Sequence, residues 1–177
     1  MKNTLIVIAT IFVFLILYFL QANFFSWFTI AGIAPNLFVI LILFLGLFGG
    51  KRLGAPMGIF LGLCLDFFIN KKIGTSAIML GIVGGMGGIL DKNFSKDSRM
   101  TIIVMTIGVT TLYEVGMYIM NHFIIGTTIE IIPFIKILLI ENLYNVLITI
   151  ILYPILQRAG YFIEDSLKGK QILTRYF

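Results

Sequence analysis

The sequence predicts an all-α polytopic membrane protein of six transmembrane helices, and three observations carry that expectation. The chain is 59% hydrophobic and 12% charged, with a mean hydropathy of +1.06, whereas soluble domains carry roughly a quarter charged residues. Its apolar residues gather in runs that approach membrane-spanning length, about 17–25 residues for a helix crossing a hydrocarbon core of about 30 Å. Its basic residues stand in small groups between those runs, which is how topology is encoded in a bilayer. The connectors are short and leave no room for a second unit, so residues 1–177 read as a single membrane-embedded domain.

Taken in order, the predicted spans are about 4–20, 35–50, 53–70, 73–90, 100–125 and 134–156. The first follows Met1-Lys2-Asn3 and resembles a signal peptide, but Leu20-Gln21-Ala22 puts leucine where a cleavage site needs a small residue. An uncleaved helix is expected there. Phe24, Phe25, Trp27 and Phe28 then fall in an uncharged outer loop, where aromatic rings suit the headgroup level. They read as an interfacial anchor, with a partner-binding lip as the functional alternative. The second span is short unless it borrows apolar length from residues 28–34, so a five-helix reading stays open. After the sixth span, residues 157–177 are expected to be a short cytoplasmic tail, and 161–177 have enough apolar residues to lie on the inner surface as a helix.

Charge fixes the orientation. With the N-terminus inside, the inner segments hold Lys2, Lys51, Arg52, Lys92, Lys96, Arg99, Arg158, Lys168, Lys170 and Arg175. The outer ones hold Lys71 and Lys72, with Lys136 near the outer start of the last span. Both termini are therefore expected in the cytoplasm. A net charge of +5 and a pI near 9.4 do not indicate nucleic acid, because the basic residues form no stripe with interleaved aromatics.

The residues able to carry chemistry are few. Gly54, Gly58, Gly62 and Asp66 recur every four positions and line one helix face, and Ala77, Gly81 and Gly85, flanked by Gly84 and Gly88, do the same on the next span. Lipid tails are as apolar as the helices, so association depends on close contact, and glycine permits it. The stripe predicts tight packing between the third and fourth spans, with a groove for another protein's helix as the alternative. Asp66, Glu114 and Glu141 are ionisable groups inside apolar runs, each costly to insert and each a candidate site. Asp66 lies one turn from an outer end beside Lys71 and Lys72, so interfacial pairing and a functional role both fit. Counting depth along the helices, Glu114 lies about 21 Å above the inner boundary and Glu141 about 20 Å, so the two share a level. They are expected to point inward to Asn142, Asn145 and the tyrosines 113, 118 and 144, with at least one of them protonated.

Cys64 is single and lies in an apolar run, so it reads as a packing residue; His122 has no second ligand at metal-binding spacing. No nucleophile elbow, zinc-protease helix, phosphate loop or cysteine cluster is present, so no enzyme, cofactor or metal is expected.

Ala34-Pro35-Asn36-Leu37, then Gly46-Leu47-Phe48-Gly49-Gly50, then Gly62-Leu63-Cys64-Leu65-Asp66 followed by Gly74 and Leu80, resemble the rod shape-determining MreD family. The spacing Gly62-x3-Asp66-x7-Gly74 is the most specific part, and Pro35-Asn36 stands where the family often has Pro-Asp. The resemblance implies a non-enzymatic bacterial inner-membrane scaffold that binds MreC and joins MreB, RodA and its partner transpeptidase in cell elongation and peptidoglycan synthesis. It also implies a fold similar to the substrate-binding components of energy-coupling-factor vitamin transporters, which makes such a component the alternative function. Against that alternative, the first span offers only Ala9 and Thr10 where those components carry small residues spaced by four.

Overall fold

A computed structural model describes residues 2–68, 74–94, 98–126 and 130–168. The first helix, α1 (Lys2–Phe19), runs on through a π-helical turn, Leu20–Phe24, into the short α2 (Phe25–Trp27). It is followed by α3 (Leu37–Gly49), α4 (Lys51–Phe68), α5 (Thr75–Asn93), α6 (Arg99–Ile125) and α7 (Ile131–Lys168). Three stretches, Ile6–Trp27, Arg99–Ile124 and Ile131–Leu167, are long and apolar enough to cross a membrane by length and composition. Shorter apolar helices occupy Leu37–Gly49 and Thr75–Asp91.

The central element is α3, in which every residue from Leu37 to Phe48 is buried. A helix apolar on all sides belongs in a core rather than on a surface. It starts where the Asn36 side chain accepts the Val39 N–H at 3.3 Å and stops at Gly50, whose φ of +70° favours glycine. Residues 28–34 are not helical; they fold back through a bridge between Ile30 and Ile33. So α3 borrows no length from them, and its 13 residues reach only about 20 Å.

Glycines decide how α4 and α5 join α3. A Cβ on Gly58 would land on the Leu80 carbonyl; one on Gly62 would stand 2.5 Å from the Ala77 Cα, and one on Gly54 2.6 Å from the Gly84 carbonyl. As the α4 number rises the α5 number falls, so the two helices are antiparallel. Gly54 and Gly84 also face Gly46 of α3, and Gly87 faces Leu43 and Gly46. Three backbones therefore meet at one seam without side chains between them.

Helices α6 and α7 form a second antiparallel pair, matched from Arg99 over the Tyr153 ring through Thr110 against Asn145 to Tyr118 stacked on Phe134. On α7 the buried face carries Glu141, Asn145, Thr149 and Tyr153, whereas Leu139, Leu143, Leu147, Ile151 and Ile155 are exposed. Polar inside and apolar outside is the arrangement expected in lipid. The outer helix α1 continues the pattern, with Ile8, Phe12, Leu15 and Phe19 exposed.

Two expectations about boundaries change. The last helix does not end near residue 156 but continues to Lys168, for 38 residues in all. Its continuation rests on the end of α3: Gly160 lies against the Phe48 ring, which a Cβ would strike, and Tyr161 meets Phe48 edge-on at 5.3 Å. The helical part of the expected tail is thus packed against the bundle, and residues 169–177 lie outside the described ones. Phe24, Phe25 and Trp27 belong to helical turns rather than to a loop. The Trp27 side chain is 88% exposed, and Phe24 stacks on Phe28 at 4.7 Å. Lys71 and Lys72 fall outside the described residues.

Candidate functional site

Inside the bundle the polar side chains are concentrated where α3 begins. The backbone N–H of Asn36 donates to Asn145 Oδ1 at 2.8 Å, across 109 positions of sequence. Asn145 is fully buried and in turn donates from Nδ2 to Thr110 Oγ1 at 3.1 Å. The Asn36 side chain is hydrogen-bonded to the Glu141 carboxyl, and the Tyr113 hydroxyl to the side chains of Asn36 and Ser76. The Glu141 and Glu114 carboxyls lie within interaction range of each other, and two carboxyls can share a hydrogen bond when one carries a proton. One cluster thereby joins α3, α5, α6 and α7, and the start of α3 is tied as well to the π-helical turn after α1, where Leu37 N–H donates to Gln21 Oε1 at 3.2 Å.

The members expected from sequence separate into two groups. Glu114, Glu141, Asn145 and Tyr113 share the cluster, which places the two acids at one depth. Asn142 does not belong to it: its amide donates to Thr111 Oγ1 at 3.2 Å and to the Leu138 carbonyl at 2.9 Å, making a separate clip between α6 and α7. Tyr118 stacks on Phe134 at 4.2 Å, and the Tyr144 hydroxyl donates to the Phe28 carbonyl. One residue of difference on a helix turns a side chain through about 100°, so Asn142 faces elsewhere than Glu141. Asn36 is the member that sequence reasoning missed. Its signal was present, an amide after proline directly before an apolar run, which is also an N-cap signature.

Asp66 performs a different task. It is completely buried and accepts the backbone N–H groups of Gly74 at 2.8 Å, Ser76 at 3.2 Å and Ala77 at 3.3 Å. The first turn of α5 has no side-chain cap of its own, so a carboxylate from α4 satisfies the N–H groups that every helix start leaves over. Gly74 holds a φ of +107°, a conformation that side chains rarely adopt. The spacing Gly62-x3-Asp66-x7-Gly74 is thus one device: Gly62 sets the closeness of α4 and α5, Asp66 caps α5, and Gly74 makes the turn that lets the cap reach.

The remaining glycines divide in the same plain way. Gly54, Gly58 and Gly62 lie against α5 within the chain, Gly81 meets the Ile59 side chain, and Gly85 has only the Ala55 methyl at an ordinary 3.8 Å. Cys64 is half-buried, and His122 lies edge-on to Phe123 at 5.6 Å. Among the described residues no three His, Cys, Asp or Glu side chains gather as a metal site would need. The arrangement can hold helices in register and share a proton between carboxyls.

No curated protein and no solved structure matches the chain significantly. The family model for the rod shape-determining protein MreD matches residues 1–159, a stretch that contains the glycine seam, the Asp66 cap and the polar cluster. The chain belongs to the MreD family of rod shape-determining proteins.

Proposed function

We propose that the chain is a non-enzymatic, six-span scaffold of the bacterial inner membrane that binds MreC and supports peptidoglycan synthesis with MreB, RodA and its transpeptidase. Membership of a shape-determining family gives the cellular role. The observation that carries the scaffold reading is the inside-out bundle, in which the clustered glycines and buried acids tie the chain's own helices together. What remains outside is apolar surface for lipids and partner helices. A transporter component would need a polar pocket open to substrate, whereas Asn36, Thr110 and Asn145 of the cluster are hydrogen-bonded to one another.

The distribution of charge supports two cytoplasmic termini. Lys51 at the start of α4 lies beside Gly88 near the end of α5, Arg99 lies beside Tyr153, and Gly160, two residues from Arg158, lies against Phe48. Basic residues distant in sequence thus share one end of the bundle, which is the inner end under the positive-inside rule.

Affinity purification of the tagged chain from membranes in mild detergent tests the role, with co-recovery of MreC expected. A reporter active only in the cytoplasm, fused after Phe177, tests the topology. Its inactivity in a stably inserted fusion would mean five spans or an inverted chain, and purification without MreC would remove the scaffold reading.

A further inference from the structure

We infer that the cleft between the start of α6 and the middle of α7 is a binding site for one anionic phospholipid, with Arg99 holding the phosphate and the cleft holding the glyceride and an acyl chain. The cleft has a volume of about 330 Å³ and is lined by Arg99, Met100, Ile102, Ile103, Thr149, Ile150 and Tyr153. Arg99 supplies the one charge among these residues, and it lies at the mouth, where α6 begins. The other side chains are apolar or apolar-bodied, so the site offers a cation at one end and hydrocarbon along the rest.

Three features point to a lipid rather than to a bare greasy surface. The Arg99 guanidinium is held over the Tyr153 ring at 5.6 Å, a contact that keeps it at the cleft while leaving its N–H donors for a phosphate. The start of α6 adds to it: Ser98 makes no side-chain cap, and the N–H groups of a helix start favour an anion. Thr149 lines the cleft, is 1% exposed, and its buried hydroxyl has no hydrogen-bond partner. It lies one turn beyond Tyr153, about 6 Å deeper than the arginine level. At that depth below a headgroup phosphate, a phospholipid carries its ester carbonyls, which accept the hydrogen bond that Thr149 has to give. A charge, a buried donor and an apolar channel in this order match a diacyl phospholipid and not a free phosphate.

The inference rests on the membrane reading above but not on any protein partner. The chain purified in mild detergent is mixed with phosphatidylglycerol or phosphatidylcholine, and bound lipid is counted by native mass spectrometry. One lipid is expected to remain, with phosphatidylglycerol preferred about fivefold, the worth of one basic side chain near an anionic headgroup. R99Q should abolish the preference and Ile103→Trp should expel the lipid by filling the cleft. R158Q, at the same end of the bundle but outside the cleft, should change neither. Equal retention by R99Q, or equal loss with R158Q, would show a general annulus and overturn the site. Displacement of the lipid by inorganic phosphate would overturn the role of the cleft and Thr149. Arg99 is exposed, so R99Q is expected to fold, and an unchanged melting temperature verifies that. Failure of MreC co-recovery leaves this measurement unaffected, so the two proposals fail separately.

Discussion

The seam between α3, α4 and α5 and the cluster between α3, α6 and α7 both join helices in a setting where burying apolar surface gives little. In the seam the backbones touch: Gly58 lies on the Leu80 carbonyl and Gly54 on Gly46 and Gly84. In the cluster they stand apart and side chains bridge the gap, as Asn145 does between Asn36 and Thr110. Dispersion at close range serves the first and hydrogen bonds serve the second. The difference teaches what each can tolerate. The seam should resist any added volume but ignore charge, and the cluster should accept new shapes yet fail when its donors and acceptors no longer match.

Gly58→Leu is the strongest way to break the comparison. Ordinary overpacking costs about 1–3 kcal/mol because side chains shift to make room, but here the obstacle is the Leu80 backbone. The variant should fail to accumulate in membranes, measured by immunoblot of the membrane fraction. Normal accumulation with loss of MreC would instead assign the glycine stripe to the partner.

The cluster is tested by charge at constant length. Glu114→Gln keeps a donor toward Glu141, so folding and melting temperature should change little. Glu114→Lys removes the carboxyl pairing and inserts a cation, at a cost of about 2.5–3.5 kcal/mol on insertion scales. A loss of folded protein is expected for lysine alone. Equal behaviour of the two variants would show that Glu114 faces water or lipid headgroups rather than Glu141.

Much of this was legible in the sequence, and the exceptions have physical causes. The membrane class, the closeness of α4 and α5 and the shared depth of Glu114 and Glu141 follow from hydropathy, spacing and helical rise, which are local quantities. The contact between Asn36 and Asn145 is not local, and no pattern along α3 announces a partner 109 positions away. The extent of α7 is not local either. Polarity rises after residue 156 and reads as an exit from the membrane, whereas the packing of Gly160 and Tyr161 on Phe48 keeps the helix going. Asp66 was legible as a costly buried acid, but its purpose depends on where the next helix starts.

Asp66 sharpens the comparison because it sits beside the seam yet works by hydrogen bonding. Asp66→Ala leaves the Gly74, Ser76 and Ala77 N–H groups without their acceptor, and loss of a helix cap costs about 0.5–2 kcal/mol. Asp66→Asn keeps one acceptor oxygen and should recover part of that. A graded fall in melting temperature, alanine below asparagine below the natural chain, is expected in detergent. If asparagine is as damaging as alanine, the charge toward the α5 helix start outweighs the count of hydrogen bonds.

The smallest effect is expected at Asn142, and it separates the clip from the cluster. Asn142 joins Thr111 to its own helix through hydrogen bonds that involve none of the cluster members, and a single hydrogen bond between membrane helices is worth about 0.6 kcal/mol on average. Asn142→Ala should therefore lower the melting temperature only slightly, and combining it with Glu114→Gln should give the sum of the two changes. Additivity is the decisive reading, because residues in one network couple and residues in separate ones do not. A combined loss well beyond the sum would return Asn142 to the cluster and make α6 and α7 a single hydrogen-bonded unit.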